Sequence, residues 1–173
     1  NLTGGSANDS FVLSDNIGVT GAINGGTGTT NTLNYSAYTN AVSINLQSSS
    51  ATNLGAGFSN INTFVGGAGS DTLTGDNSAN TWNVTGSNSG NIDTNVTFFS
   101  AIENIVGGTG GDTFNLGGNL TSVTGNGSDV LNYTAGTIGA ITMNSTTQIN
   151  SGTVVTTGSQ TYTGAVTLNN GVS

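Results

Sequence analysis

Apolar and polar residues alternate over short runs along the whole chain. "AVSINL" (41–46), "TWNV" (81–84), "TFNL" (113–116), "VLNY" (130–133), "TVVTT" (153–157) and "TYTGAVTL" (161–168) are all of this kind. Each is rich in β-branched or aromatic residues and bounded by Gly, Asn or Ser, which predicts a short strand between tight turns. Glycine interrupts every longer window, and no 3.6-residue period develops, so helices are not expected. The alternation assigns Phe11, Leu73, Phe114 and Leu131, with Phe64, Trp82, Tyr35 and Tyr133, to an apolar core.

The runs belong to longer repeats. "FSNINTFVGGAGSDTL" (58–73) returns as "FSAIENIVGGTGGDTF" (99–114), 41 residues later. "NLTGGSANDSFVL" (1–13) aligns with "NIVGGTGGDTFNL" (104–116), and "TLNYSAY" (32–38) with "VLNYTAG" (130–136). Each copy has glycines for a turn, then Asp or Asn, then a strand. A unit that cannot bury its own face must stack on its neighbours. The expected fold is therefore an all-β, right-handed parallel β-solenoid, a β-helix or β-roll of roughly eight turns of about 20 residues each. At about 4.8 Å per strand it makes a rod about 40 Å long. On this reading Val65 and Val106 point inward on one face, two turns apart. The Gly-Gly-Asp phrases stop near residue 145, which divides the chain into repeats at 1–145 and plainer solenoid strands at 146–173.

Composition agrees with a thin, repeated core. Gly, Asn, Thr and Ser are about three-fifths of the 173 residues, and 33% are hydrophobic. Only 5% are charged, which is unlike disorder. The net charge is −8, with no Lys, Arg or His. Phosphate backbones and anionic membrane surfaces are thus excluded as partners, and divalent cations are the obvious counter-charge. No run of about 18 apolar residues predicts membrane insertion. There is no cysteine for a disulfide or a thiolate metal site. The chain opens at Asn1 without a signal-like run and reads as a processed or excised piece. Missing trypsin-type cleavage sites suit life outside the cell.

"GGAGSDTLT" (66–74) and "GGTGGDTFN" (107–115) match the nonapeptide G-G-x-G-x-D-x-U-x, where U is a large apolar residue. They resemble the calcium-binding repeats of RTX, or haemolysin-type, proteins, which fold as parallel β-rolls. "GTVVTTGSQTYTGAVTL" (152–168) is similar to repeats of giant filamentous-haemagglutinin-like bacterial adhesins. The resemblance implies structural calcium held between loops one turn apart, by Gly-loop carbonyls and Asp carboxylates. The best matching pair of loops is Gly107, Gly108, Gly110 and Asp112 with Gly125, Gly127 and Asp129. Weaker candidates are Gly66, Gly67, Gly69 and Asp71, with Asp76 nearby, and Asp9. Asn31 and Asn80 stand where this pattern wants Asp.

Catalysis is not expected. Without His, Lys, Arg or Cys no nucleophile–base pair of the usual kinds can form, and Glu103 is the only glutamate. The expected role is an extracellular or bacterial cell-surface stalk or fibre-forming segment of a large secreted protein. Its partners would be neighbouring segments of the same giant chain or further copies end to end, with glycans or other cell-surface ligands at the target. Alternatives are a self-assembling subunit of an extracellular filament and a calcium-dependent sugar-binding module.

Overall fold

A computed structural model describes residues 1–93, 95–151 and 153–169. The described residues form twenty strands of two to six residues and no helix. Three strands, β1 (Leu2–Thr3), β3 (Ile23–Asn24) and β7 (Phe58–Ser59), make a small parallel sheet. A ten-stranded sheet runs in the order β2 (Ser10–Val12), β4 (Thr32–Asn34), β8 (Thr63–Val65), β12 (Val96–Ser100), β11 (Ser89–Ile92), β10 (Thr81–Gly86), β14 (Thr113–Leu116), β16 (Asp129–Tyr133), β18 (Thr147–Ile149), β20 (Val166–Leu168). A seven-stranded sheet runs β19 (Gln160–Tyr162), β17 (Ile138–Met143), β15 (Leu120–Gly125), β13 (Asn104–Val106), β9 (Thr72–Thr74), β5 (Ser43–Asn45), β6 (Ser50–Ala51). From β12 to β20 the chain alternates between the two large sheets, one strand in each. Successive strands of one sheet pair in parallel, as in β14–β16–β18–β20 and β13–β15–β17–β19. Pairing passes residue 145 without a break.

In-register stacking lines like residues into columns. Leu33, Phe64, Phe99, Trp82, Phe114, Leu131 and Ile149 form the inward column of the large sheet, all buried. Ile44, Leu73, Ile105, Val123 and Ile141 face them from the seven-stranded sheet. Trp82 stacks on Phe114 with ring centroids 6.1 Å apart. Tyr35 is buried as expected, while Phe11 and Tyr133 are half-buried and pack against the core.

Two expectations are corrected. Equivalent positions lie 17, 18 and 19 residues apart in the C-terminal half. In the N-terminal half they lie 22 and 31 apart. A uniform spacing of about 20 residues thus holds only in the later part of the chain. The 31-residue spacing contains the antiparallel pair β5–β6, and β10–β11–β12 lengthens the path from Asn80 to Asp112 in the same way. For the same reason the two copies of the long phrase do not stack. Val65 lies in the ten-stranded sheet and Val106 in the seven-stranded sheet. Both are half-buried, and it is their neighbours Phe64 and Ile105 that point inward.

Candidate functional site

The Gly-Asp loops sit at corners between sheets. Residues 75–80 join β9 to β10, 107–112 join β13 to β14, and the 126–128 turn joins β15 to β16. These three corners are stacked, because the strands on either side pair in register. Asn80, Asp112 and Asp129 therefore fall in one column, followed by Thr147 and Val166.

The two carboxylates in the column each reach back one level. The Asn80 N–H donates to Asp112 Oδ1 at 2.8 Å, and the Asp112 N–H donates to Asp129 Oδ1 at 2.9 Å. The Asp129 N–H donates to the Thr146 carbonyl instead. A second column repeats this at the N-terminal corner, with Asp9 N–H to Asn31 Oδ1 and Asn31 N–H to Asn62 Oδ1, each 3.0 Å. A third runs along the opposite corner. There Val42 N–H donates to Asp71 Oδ1 at 2.7 Å, and Asp71 N–H to Glu103 Oε2 at 2.8 Å. The Asp of the repeat thus satisfies a backbone donor of the preceding level that would otherwise be orphaned at a corner. Asn31 does the same work without charge, whereas Asn80 donates its Nδ2 to Asp112 Oδ1 and to the Ser78 carbonyl.

The glycines follow from this packing. A Cβ on Gly4, Gly66, Gly107 or Gly125 would overlap Oδ2 of Asp9, Asp71, Asp112 or Asp129, respectively. Gly67, Gly108, Gly110 and Gly127 lie against the carbonyls of Tyr38, Asp76, Ser78 and Gly110 in the stacked loop, and Gly69 against the backbone of Asn40. The first glycine makes room for the carboxylate, and the others let the loops touch.

Electrostatics separate the candidate carboxylates. Asp71, Asp112 and Asp129 are at most 1% exposed. Burial pushes all three above the usual carboxylate range, against hydrogen bonds that pull them down. Asp129 is pushed up to about 6, with the Asp112 charge adding to burial. Both oxygens of Asp71 have donors, Val42 N–H and Gly67 N–H. Asp9 Oδ2 accepts from Gly5 N–H at 2.8 Å, and Asp76 Oδ1 accepts from Ser78 N–H in a local turn. Oδ2 of Asp112 and Oδ2 of Asp129 are buried without a well-formed hydrogen bond among the described residues, the Gly108 and Gly127 N–H groups acting on these carboxylates more weakly than Gly67 N–H does on Asp71. A cleft of about 120 Å³ opens beside Asp129, walled by Ser128, Thr146, Thr147, Gln148 and Thr167.

No cluster of three or more Asp, Glu, His or Cys occurs among the described residues. An ion at Asp112 and Asp129 would draw its remaining ligands from carbonyls and water. That donor set is all oxygen and suits a hard cation such as calcium. Oδ2 of Asp112 and Oδ2 of Asp129 fit such an ion, whereas both oxygens of Asp71 already accept backbone hydrogen bonds.

A ladder not anticipated from the sequence runs along the outer face of the ten-stranded sheet and into the turns that follow β18 and β20. Asn115 Nδ2 donates to Asn83 Oδ1, Asn132 to Asn115, Asn150 to Asn132 and Asn169 to Asn150, at 2.7–3.0 Å. Its signal was the Asn that follows an inward apolar residue in "TWNV", "TFNL", "VLNY", "QIN" and "TLN". Compared with protein-family models, curated proteins and solved structures, the chain matches none.

Proposed function

We propose that this protein is a structural β-solenoid, right-handed and of the RTX-like kind, serving as a stalk or fibre-forming segment of a large secreted surface protein. The observation that carries the reading is the uninterrupted ten-stranded sheet, braced by three side-chain columns at its corners and an asparagine ladder on its face. Such a body offers reach and rigidity. An open groove of about 390 Å³ beside Val19 and Leu54 is lined by no carboxylate. That supports a mechanical rather than a catalytic role. A chain without Lys or Arg resists trypsin-like proteases, which supports placing it outside the cell.

Calcium belongs to this proposal as a structural ion at Asp112 and Asp129. Bound there, it would supply positive charge to two buried carboxylates that have none. Because only the folded form assembles the site, calcium should raise the melting temperature as its concentration passes the dissociation constant. Melting followed by circular dichroism, in calcium and in chelator, tests this. The wild type is expected to gain several degrees in calcium, and Asp112→Asn to lose that gain. Identical melting in both conditions would reduce the site to a pair of structural turns.

A further inference from the structure

We infer that the antiparallel insertion β10–β11–β12 is a fixed elbow, which turns the axis of the stack midway along its length. Resting on the solenoid reading above, the elbow sets the direction in which a stalk built from this chain points. The two large sheets differ in strand count across the insertion. In the ten-stranded sheet the order is β8–β12–β11–β10–β14, so β8 and β14 are four strand spacings apart. In the seven-stranded sheet the order is β9–β13–β15, so β9 and β15 are two spacings apart. Along the chain β9 follows β8 and β15 follows β14, so both spans join the same two levels. One wall is therefore longer than the other by two spacings, about 10 Å at the usual inter-strand distance. Sheets packed face to face also lie about 10 Å apart, so an excess on one wall alone turns the axis by an angle on the order of 45°.

The added strands belong to the wall and do not stand out from it as a flap. Their inner faces are dry: Trp82, Val84, Ile92, Val96 and Phe99 are each at most 1% exposed. Trp82 lies against Phe114 on one side and Phe99 on the other, with ring centroids 6.1 and 6.3 Å apart. It reaches Phe99 past β11, where Gly90 pairs with Val84 and with Phe99. A Cβ on Gly90 would stand 3.0 Å from the Phe99 ring. On the opposite wall Leu73, Ile105 and Val123 follow one another directly, with no strand added. Aromatic rings thus fill the wide side of a wedge, and aliphatic side chains its narrow side.

Hydrogen bonds clamp the wedge from both sides. Glu103, the only glutamate of the chain, accepts from Asp71 N–H at Oε2, 2.8 Å, and from Asn88 Nδ2 at Oε1, 2.7 Å. Asp71 leads into β9, and Asn88 stands in the β10–β11 turn. One carboxylate thus ties the insertion to the level before it. The Asn88 N–H donates to the Asn119 carbonyl, which ties the same turn to the level after it. With its inner face packed and its turn held on both sides, the insertion is a rigid bend and not a swivel.

The test compares two distances between spin labels, placed on the 173-residue chain, which has no cysteine of its own. Thr32→Cys with Gln148→Cys spans the long wall from β4 to β18, seven spacings. Asn45→Cys with Thr161→Cys spans the same levels on the short wall from β5 to β19, five spacings. Double electron–electron resonance should read the long-wall distance as greater by about 10 Å or more, each distance a single narrow peak. Asn34→Cys with Asn150→Cys, against Ser43→Cys with Ser159→Cys, should repeat the difference, with circular dichroism showing that every labelled chain keeps its β-sheet spectrum. Equal distances on the two walls overturn the elbow and leave the solenoid reading intact, because the insertion would then bulge from a straight stack. A broad long-wall distribution beside a narrow short-wall one also overturns it, since the joint would swivel. A short-wall distance well above five spacings, about 24 Å, overturns the elbow and the stacked solenoid together.

Discussion

Asp129 is a carboxylate at the start of a strand, with one oxygen on a neighbouring backbone amide and the other pressed against the glycine four residues before it. That geometry sets what each loop position tolerates. A Cβ at Gly127 would collide with the Gly110 carbonyl, whereas a Cβ at Gly5 meets nothing within 4 Å. Gly127→Ala should therefore cost about 1–3 kcal/mol, as overpacking does elsewhere. Gly5→Ala should be close to neutral, and urea denaturation of both compares them directly. Equal costs would mean that the glycines serve turn conformation and not loop stacking. The Asp112–Asp129 pair was legible in the sequence, since a 17-residue spacing joins two Gly-rich loops. The role of Asn31 was not, because a motif written for a metal treats Asn as a lost ligand. Here the needed property is an acceptor oxygen aimed at the previous level, which Asn supplies equally well.

A column of buried acids makes an unusual demand on the strands it joins. Asp112 and Asp129 are both raised by burial, and no cationic side chain exists to pair with them. A carboxyl whose folded pKa exceeds its unfolded value holds its proton more tightly in the folded state. Its contribution to stability is full below the unfolded value of 3.8 and is lost as pH rises through about 6 for Asp129. In chelator, the melting temperature should therefore be highest near pH 4 and fall toward pH 7. Asp129→Asn should flatten that fall, and Asn31 shows that the position accepts an amide. A melting temperature that rises steadily from pH 4 to 7 would contradict the assigned burial. The strands themselves were readable from alternation and turn residues. What alternation cannot carry is which sheet a strand joins. The 41-residue repeat suggested two full turns, but the antiparallel insertion β10–β11–β12 lies between the copies and sends them to opposite corners.

For the whole molecule, the shared feature is parallel stacking in register, from which the columns and the glycine requirement follow. An all-β chain with parallel sheets was foreseeable from a sequence that repeats one thin unit. Their division into a three-stranded, a seven-stranded and a ten-stranded sheet depends on long-range pairing that no local pattern encodes. The absence of cysteine makes the stacking directly accessible to measurement. Ser128 Oγ and Thr146 Oγ1 are exposed, 18 residues apart in sequence, and 2.7 Å apart across two levels. A Ser128→Cys, Thr146→Cys double variant should close a disulfide rapidly under mild oxidation, since neighbouring strands bring the two Cβ atoms within bridging reach. Ser128→Cys with Ser159→Cys, placed further along the stack, should remain reduced under the same conditions. Efficient closure of the first pair and not the second is the result predicted here; failure of the first pair to close in a folded protein would contradict the stacked, in-register architecture.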